Sequence, residues 1–465
     1  MLQILKSSRA VLLVWVVILG AFFVGKATFL TSFSPEQQYT LLVLVIAIYL
    51  WTLSTMPQGA SSILVLALLI GLGVVDEPDQ AFQGFLTTGL YFIVLLSLIS
   101  QVLVIVGFDQ VIARLFQQFS GGRVSRLVVS LPIMMVLLPI ILPSAVARYK
   151  ILEPLIKRMN DLNGFSNQSV FNKFGLFVIS FLNQKGTFIV FTGGGFAVIA
   201  YQLMVEYNVA QIQWLEWMGL MAPPLFVITL FSSLFVWFYF KWNTDEESNV
   251  QIKAPNHHLE EKQVEHPKFW YVVFAFLAMV VAWISTDPTV VPIILPPMLM
   301  VAFLAIPAIG LVNNQLIRNF DWETFLLLGT SFSLGFIMAE NGTAEMIATA
   351  LIQLVPDGAS TWLKVIFIIL FIGIMRWMFT NSTSAIVVIF PIMMSYASLI
   401  DLSPVALALL IMTVIGGTIL IPIHAPTTYY ASLAGVYTKG EQFVVGIISS
   451  TVATVVALLA VFLYW

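Results

Sequence analysis

The chain has 465 residues, 60% of them hydrophobic and 9% charged, with 37 phenylalanines, 12 tryptophans, no cysteine and a net charge of −3. A soluble domain carries roughly 25% charged residues, so this composition excludes a soluble globular chain and indicates a polytopic membrane protein. Without cysteine there are no disulfides, thiolate metal sites or cysteine nucleophiles, and the near-neutral balance lacks the basic footprint of a nucleic-acid binder.

Apolar runs long enough to cross about 30 Å of hydrocarbon are read as spanning helices. Residues 1–38 hold the first, over 10–30, behind Lys6 and Arg9. The run is longer than a signal-peptide core, so it is read as an uncleaved helix. Residues 39–240 form a first half: helices over 39–54, 60–75 and 85–106, an amphipathic segment at 107–119, and two apolar arms inside 122–160 with a kink near Pro143-Ser144. There follow a helix over 174–204, interrupted between Asn183 and Gly195, and a helix over 214–240. A polar cytoplasmic loop, 241–267, separates this from a second half, 268–465. There the pattern predicts helices over 268–286, 289–312 and 322–340, an amphipathic segment at 342–355, a second pair of arms inside 360–400, an interrupted helix over 404–436 and a last helix over 441–464.

Basic residues set the orientation. With the N-terminus cytoplasmic, Arg114, Arg123, Arg126, Lys157, Arg158, Lys173, Lys241, Lys253, Lys262, Lys268, Arg318 and Lys439 fall inside. Asp76, Glu77, Asp79, Glu206, Asp287, Glu340, Asp357 and Asp401 fall outside, Lys364 is the main exception, and the C-terminus ends outside. The arm after Pro143 carries Arg148, Lys150 and Glu153, which fit poorly against lipid. The pair is therefore read as a re-entrant hairpin from the cytoplasmic side, matched by one from outside near residue 380. An internal repeat agrees: Gly107–Ala113 resembles Gly342–Ala348, Glu153-Pro154 is echoed by Phe390-Pro391, and Gly186-Thr187 by Gly417-Thr418. An odd number of crossings between the hairpins makes the copies inverted, the architecture that places a transporter's site near the midplane.

The centre of the second hairpin, Phe379-Thr380-Asn381-Ser382-Thr383-Ser384-Ala385, puts five polar side chains in a row within an apolar segment. A continuous helix would turn them to every side. A helix break is the economical alternative, because non-helical backbone at membrane depth survives only inside protein or around a cavity. Hydroxyls, an amide and freed backbone groups then form an ion and substrate site.

These residues carry a resemblance. The chain, from about residue 40 to its end, is similar to the divalent anion:sodium symporter family of the ion transporter superfamily, whose members carry di- and tricarboxylates or sulfate. Thr380-Asn381-Ser382 resembles the Ser-Asn-Thr tip of that family's second hairpin. Gly416-Gly417-Thr418 through His424-Ala425-Pro426-Thr427-Thr428 resembles its second unwound stretch, and Lys185-Gly186-Thr187 through Thr192-Gly193-Gly194-Gly195 its first. The resemblance implies an all-α fold of two inverted repeats, with a scaffold, an elevator-type transport domain and a homodimer in the cell membrane. Two departures stand out. The register of Pro154 puts Ser144-Ala145-Val146 where Ser-Asn-Thr is expected, followed by Arg148, and Lys185 replaces a small residue. The first of the family's two sodium sites loses an amide and a hydroxyl.

The expected substrate site comprises Ser144, Ala145, Arg148, Lys185, Gly186, Thr187, Thr380, Asn381, Ser382, Thr383, His424, Pro426 and Thr427. Thr380, Asn381 and Ser382 with the backbone of Gly417 and Thr418 offer the oxygen ligands a sodium ion wants; no other cofactor is expected. Lys185 is read as a fixed charge in place of the first sodium, as a titrating group that couples transport to protons, or as a bridge to Glu153. Arg148 either grips a substrate carboxylate or pairs with Glu153. His424 either meets substrate or packs, and Arg376 is read as a structural partner of a carboxylate. The function expected is secondary transport of small divalent anions, coupled to sodium, protons or exchange. A cation/proton antiporter is the alternative, for which Glu153 is the nearest candidate carboxylate. An enzyme is not expected: three of the four histidines, His257, His258 and His266, lie in the polar loop.

Overall fold

The computed structural model describes residues 8–27, 31, 33–108, 111–112, 124–244, 266–356, 358–377, 379, 381–397, 400 and 402–465. Most of the amphipathic segment at 107–119, most of the 241–267 loop, and Thr380 lie outside the described residues. Within them the chain is helical, with no strand. It forms two compact units, each discontinuous in sequence: Met1–Leu90 with Asp321–Ile411, and Tyr91–Phe320 with Met412–Trp465.

The first unit is built on the Trp322–Glu340 helix, which starts where Asp321 Oδ1 accepts from Thr324 N at 3.1 Å. Its middle is small and polar, with Gly329, Thr330, Ser331, Ser333 and Gly335 buried. Small residues let backbones approach closely where lipid gives no hydrophobic drive to association. The chain at 83–86 uses this: Gly84 N donates to Ser333 Oγ at 3.0 Å. The same helix packs against Gln58–Gly71 and against Ser382–Ala397, the return arm of the second hairpin. The other arm is Thr361–Trp377.

The second unit has two long helices, Trp214–Asn243 and Lys439–Leu463, packed along each other. Tyr464 Oη and Trp465 Nε1 donate to the carbonyls of Gly219 and Leu220 at 2.7 and 2.9 Å. The first hairpin rises through Val124–Leu137 and a 3-10 turn at Leu138–Ile140, and returns through Ala145–Leu162. Two interrupted helices accompany it. The first runs Val170–Phe177, continues through π-helical Val178–Leu182, Asn183–Gly186 and a 3-10 turn, Thr187–Ile189, and resumes at Gly195–Glu206. The second comprises Pro404–Gly417, whose last residues enter this unit, and Pro426–Leu433.

Two expectations need correction. The interruption expected from Asn183 onward begins later: residues 183–189 stay wound, and the chain opens at 190–194, where the Gly193-Gly194-Gly195 run lacks helix propensity. The helix expected over 289–312 is only Leu295–Ala305, about 16 Å at 1.5 Å per residue. Pro292 and Pro307 lie outside it and Pro296 and Pro297 in its first turn, where the missing proline N–H costs least. Among the described residues, Thr88–Ile105, Trp214–Asn243, Trp322–Glu340 and Lys439–Leu463 are long and apolar enough to cross a membrane.

Gly416 is the last but one residue of Pro404–Gly417, and a Cβ there would sit 2.1 Å from the Phe188 ring and 2.7 Å from the Phe196 ring. Both rings belong to the first interrupted helix. Gly416→Val should therefore overpack this contact and destabilise the protein by about 1–3 kcal/mol. Thermal unfolding of the purified protein checks this; an unchanged midpoint would show that the rings move aside freely.

Candidate functional site

The first hairpin turns at Leu142-Pro143-Ser144. Proline cannot donate to a helix, and Ser144, extended at φ −126°, caps the return arm by accepting from Ala147 N at 3.2 Å. One turn into that arm lies Arg148, 1% exposed. Its guanidinium reaches three separate segments. Nε donates to Asn183 Oδ1 at 2.7 Å, Nη2 to Asn183 O at 3.4 Å, and Nη1 to Gly193 O at 3.4 Å and to Leu142 O in a short contact. Asn183 completes the junction: Nδ2 donates to Ala145 O at 2.8 Å and to Ile179 O at 2.9 Å. The tip, the helix before the opening and the glycine run after it are thus tied by one cation and one amide.

Lys185 is also 1% exposed, but it faces the last helix. Nζ donates to Ser449 O at 2.7 Å and to Ser449 Oγ. The expected bridges to Glu153 are not formed by Lys185 or by Arg148. Glu153 is five residues past Arg148 on one helix, about 140° around its axis. It lines a cavity of about 300 Å³ with Lys157, Asp161, Asn167 and Asn172 instead. Gly186 lets the first hairpin close on this helix, since a Cβ there would lie 2.2 Å from Met135 O. Thr187 Oγ1 donates to Gln184 O at 2.7 Å, and Trp217 Nε1 to Phe188 O at 3.0 Å.

The second opening spans 418–425. Thr418 N still donates to Val414 O at 3.0 Å, and Gly417 lies against Ala453, its Cβ position 2.8 Å away. Beyond this the last helix and local side chains take over. Ile419 N donates to Ser450 Oγ at 3.0 Å, and Leu420 N to His424 Nδ1 at 3.3 Å. His424 is buried and holds the opening's own backbone. Pro426 starts the next helix. Thr427 Oγ1 donates to Ser180 O, in the π-helical turn of the first interrupted helix, at 2.9 Å. Gln442 Nε2 donates to Thr428 O at 2.9 Å.

In the first unit, the second hairpin tip has its own buried guanidinium. Arg376 donates through Nη1 to Phe379 O at 2.6 Å and through Nη2 to Ser382 Oγ at 2.9 Å. These tip groups are what the expected structural arginine is seen to hold. Asn381 Oδ1 accepts from Thr383 N at 2.9 Å and Asn381 O from Ala385 N at 3.2 Å, so Asn381 opens the return arm as a cap. Ser382 and Ser384 are 3% exposed, and Ser384 Oγ has no hydrogen-bond partner among the described residues.

The expected residues thus fall into two groups. Asn381, Ser382 and Thr383 share the second tip in one unit. Ser144, Ala145, Arg148, Gly186, Thr187 and Thr427 gather around the first interrupted helix in the other, with Lys185, Gly417 and Thr418 on the side of the last helix. Asn183, Ser180, Ser449, Ser450 and Gln442 were not anticipated as site residues. The Ser449-Ser450 pair within an apolar span was the available signal, because polar residues in such helices face protein partners.

One further regularity concerns charge. Among the described residues the fully buried ionisable side chains other than tyrosine and histidine are Arg148, Lys173, Lys185 and Arg376, with no aspartate or glutamate. Lys173 pairs with Glu441 at 2.7 Å. No cluster of histidine, aspartate or glutamate able to hold a metal ion occurs among the described residues.

Comparison with known proteins agrees with this architecture. Residues 6–465 match the family model described as the sodium:sulfate symporter transmembrane region. A Cupriavidus necator protein named only as a membrane protein is 20% identical over 463 residues, covering 92% of this chain and 87% of its own. The crystal structure of the Alcanivorax borkumensis YdaH transporter shares the fold, with a TM-score of 0.57 and 12% identity, over 92% of this chain and 98% of that one.

The contact between the two interrupted helices rests on Thr427. Thr427→Val keeps the shape and removes the donor to Ser180 O. A loss of about 1–3 kcal/mol in stability is expected for the weakened buried carbonyl, read as a lower thermal midpoint. No change would show that Asn183 N alone satisfies that carbonyl.

Proposed function

The chain belongs to the sodium:sulfate symporter family of membrane transporters, and from that premise we propose that it moves small divalent anions, dicarboxylates, tricarboxylates or sulfate, across the cell membrane by secondary transport. The observation that carries the substrate's sign is the buried charge. Arg148 and Lys185 lie near the first opening, both 1% exposed, and neither has a carboxylate partner among the described residues. An uncompensated cation in low dielectric is costly and is least costly with an anion nearby. The cation/proton antiporter is the weaker reading, because its exchanging group is ordinarily a buried carboxylate and Glu153 is only half-buried, on a cavity rim.

Ser144, Ala145, Gly186, Thr187, Pro426 and Thr427 are proposed to meet the anion as hydroxyl and backbone donors, with His424 beside them; at the second tip, Asn381, Ser382 and Thr383 are proposed as polar ligands in their own right. Sodium, as co-transported cargo, is proposed at the second tip. The partnerless, buried Ser384 hydroxyl and the Asn381 amide supply the oxygen chemistry a hard cation takes. Inverted repeats, an elevator-type cycle, a homodimer and a cytoplasmic N-terminus complete the proposal, as the family resemblance implies.

Uptake of labelled sulfate, succinate and citrate into proteoliposomes, with sodium or choline and with or without a pH gradient, tests it. Saturable uptake of at least one divalent anion is expected. Sodium/proton exchange without anion uptake would replace it with the antiporter. Asn381→Ala should lower uptake about tenfold or more, the equivalent of one lost 1.4 kcal/mol interaction, in a protein that still elutes as the wild type does. Lys185→Met should weaken anion affinity by a similar factor; undiminished affinity would remove that charge from the anion's surroundings.

A further inference from the structure

We infer that Arg148 is a tethered cation: its guanidinium fills the oxygen cage of the first hairpin tip, so that this tip takes no mobile cation and is held ready for its ligand by the chain itself. Four oxygens converge on the group, from Leu142, Gly193 and both the backbone and side chain of Asn183. They come from three segments: the tip, the helix before the opening and the glycine run after it. A set of carbonyl oxygens collected from separate segments in a buried setting is a cation site by its chemistry, since carbonyl dipoles aimed at one point need positive charge there. A planar fork with five N–H groups meets several such oxygens at once, which an ammonium cannot do. The arginine is complete in this role without a carboxylate.

The inference goes beyond the proposed function. It assigns Arg148 to the tip and not to the substrate, as a positioning residue that acts on the anion through its field and through the backbone it holds. It also sets an upper bound on ion coupling, because of the two tips only the second is left to bind sodium.

Chemical rescue tests this. Arg148→Ala is prepared in detergent and in proteoliposomes beside the wild type and Lys185→Met. Thermal midpoints and anion uptake are measured with millimolar methylguanidinium, sodium, potassium or choline chloride. The expected result is a lowered midpoint and about tenfold or more loss of uptake in Arg148→Ala, with methylguanidinium raising the midpoint toward that of the wild type and restoring uptake several-fold while leaving the wild type and Lys185→Met unmoved. Wild-type stability and uptake in Arg148→Ala, or a loss that methylguanidinium does not relieve, would overturn the inference. Should Arg148→Ala not fold, sodium-22 binding to the wild-type protein decides: sodium held at the second tip alone is expected, and sodium binding that persists in full when the second tip is disabled by Asn381→Ala would overturn it. Neither midpoints nor sodium binding involves the anion. A failure of divalent-anion uptake would therefore discredit the transport reading while the tip result stands or falls separately.

Discussion

A helix that stops within a protein leaves carbonyls and amides without partners, and at membrane depth water does not supply them. This chain stops helices at both hairpin tips and in both interrupted helices, and each of these ends is met by a side chain of the same unit. Arg148 and Asn183 meet the first tip and first opening, Ser450 and His424 the second opening, and Arg376 the second tip. The last helix backs the second opening and the wound stretch before the first. Gly446 lets it approach Ile419 O, where a Cβ would come within 2.6 Å, and its Ser449 and Ser450 sit one turn further on. Glu441 and Gln442, nearer its start, hold Lys173 and Thr428 O.

The charges that do this are of one sign. Guanidinium and ammonium groups are donors only, so they suit freed carbonyls. Arg148 and Lys185, buried with no carboxylate partner among the described residues, leave positive potential in their unit's interior. A carboxylate beside each would have cancelled that potential. Lys173 shows the contrast. It lies at the start of the first interrupted helix, away from the openings, and there the chain does supply a partner, Glu441.

Much of this was legible in the sequence, and what was missed has identifiable causes. Pro143, Pro422, Pro426 and the Gly193–Gly195 run mark helix ends through backbone chemistry alone, so hairpins and openings could be located to within a few residues. The Thr380–Ser384 run and Arg148 announced polar groups where hydrocarbon forbids them. Partners were the unreadable part. Arg148 and Glu153 look like a pair in one dimension but lie on different sides of one helix. Lys185 meets Ser449, which is remote in sequence and offers no charge to signal the contact. Asn183 was seen as the beginning of a break and is instead a wound residue whose amide joins hairpin to helix. The helix expected over 289–312 failed for the opposite reason: hydropathy was averaged across Pro292 and Pro307, which lie beyond the two ends of the helix.

The choice of arginine at the tips and lysine beside the last helix follows from the geometry each must satisfy. At the first tip the acceptors come from three segments and spread over the edge of a plane, and a guanidinium can bond several of them without moving. Lys185 meets both of its acceptors on one residue, the carbonyl and hydroxyl of Ser449, and a compact ammonium with rotating donors is enough. A lysine at 148 would hold the charge but release part of the cage. The two cations are therefore not interchangeable charges. One holds the shape of a tip, and the other ties the wound stretch before the first opening to the last helix.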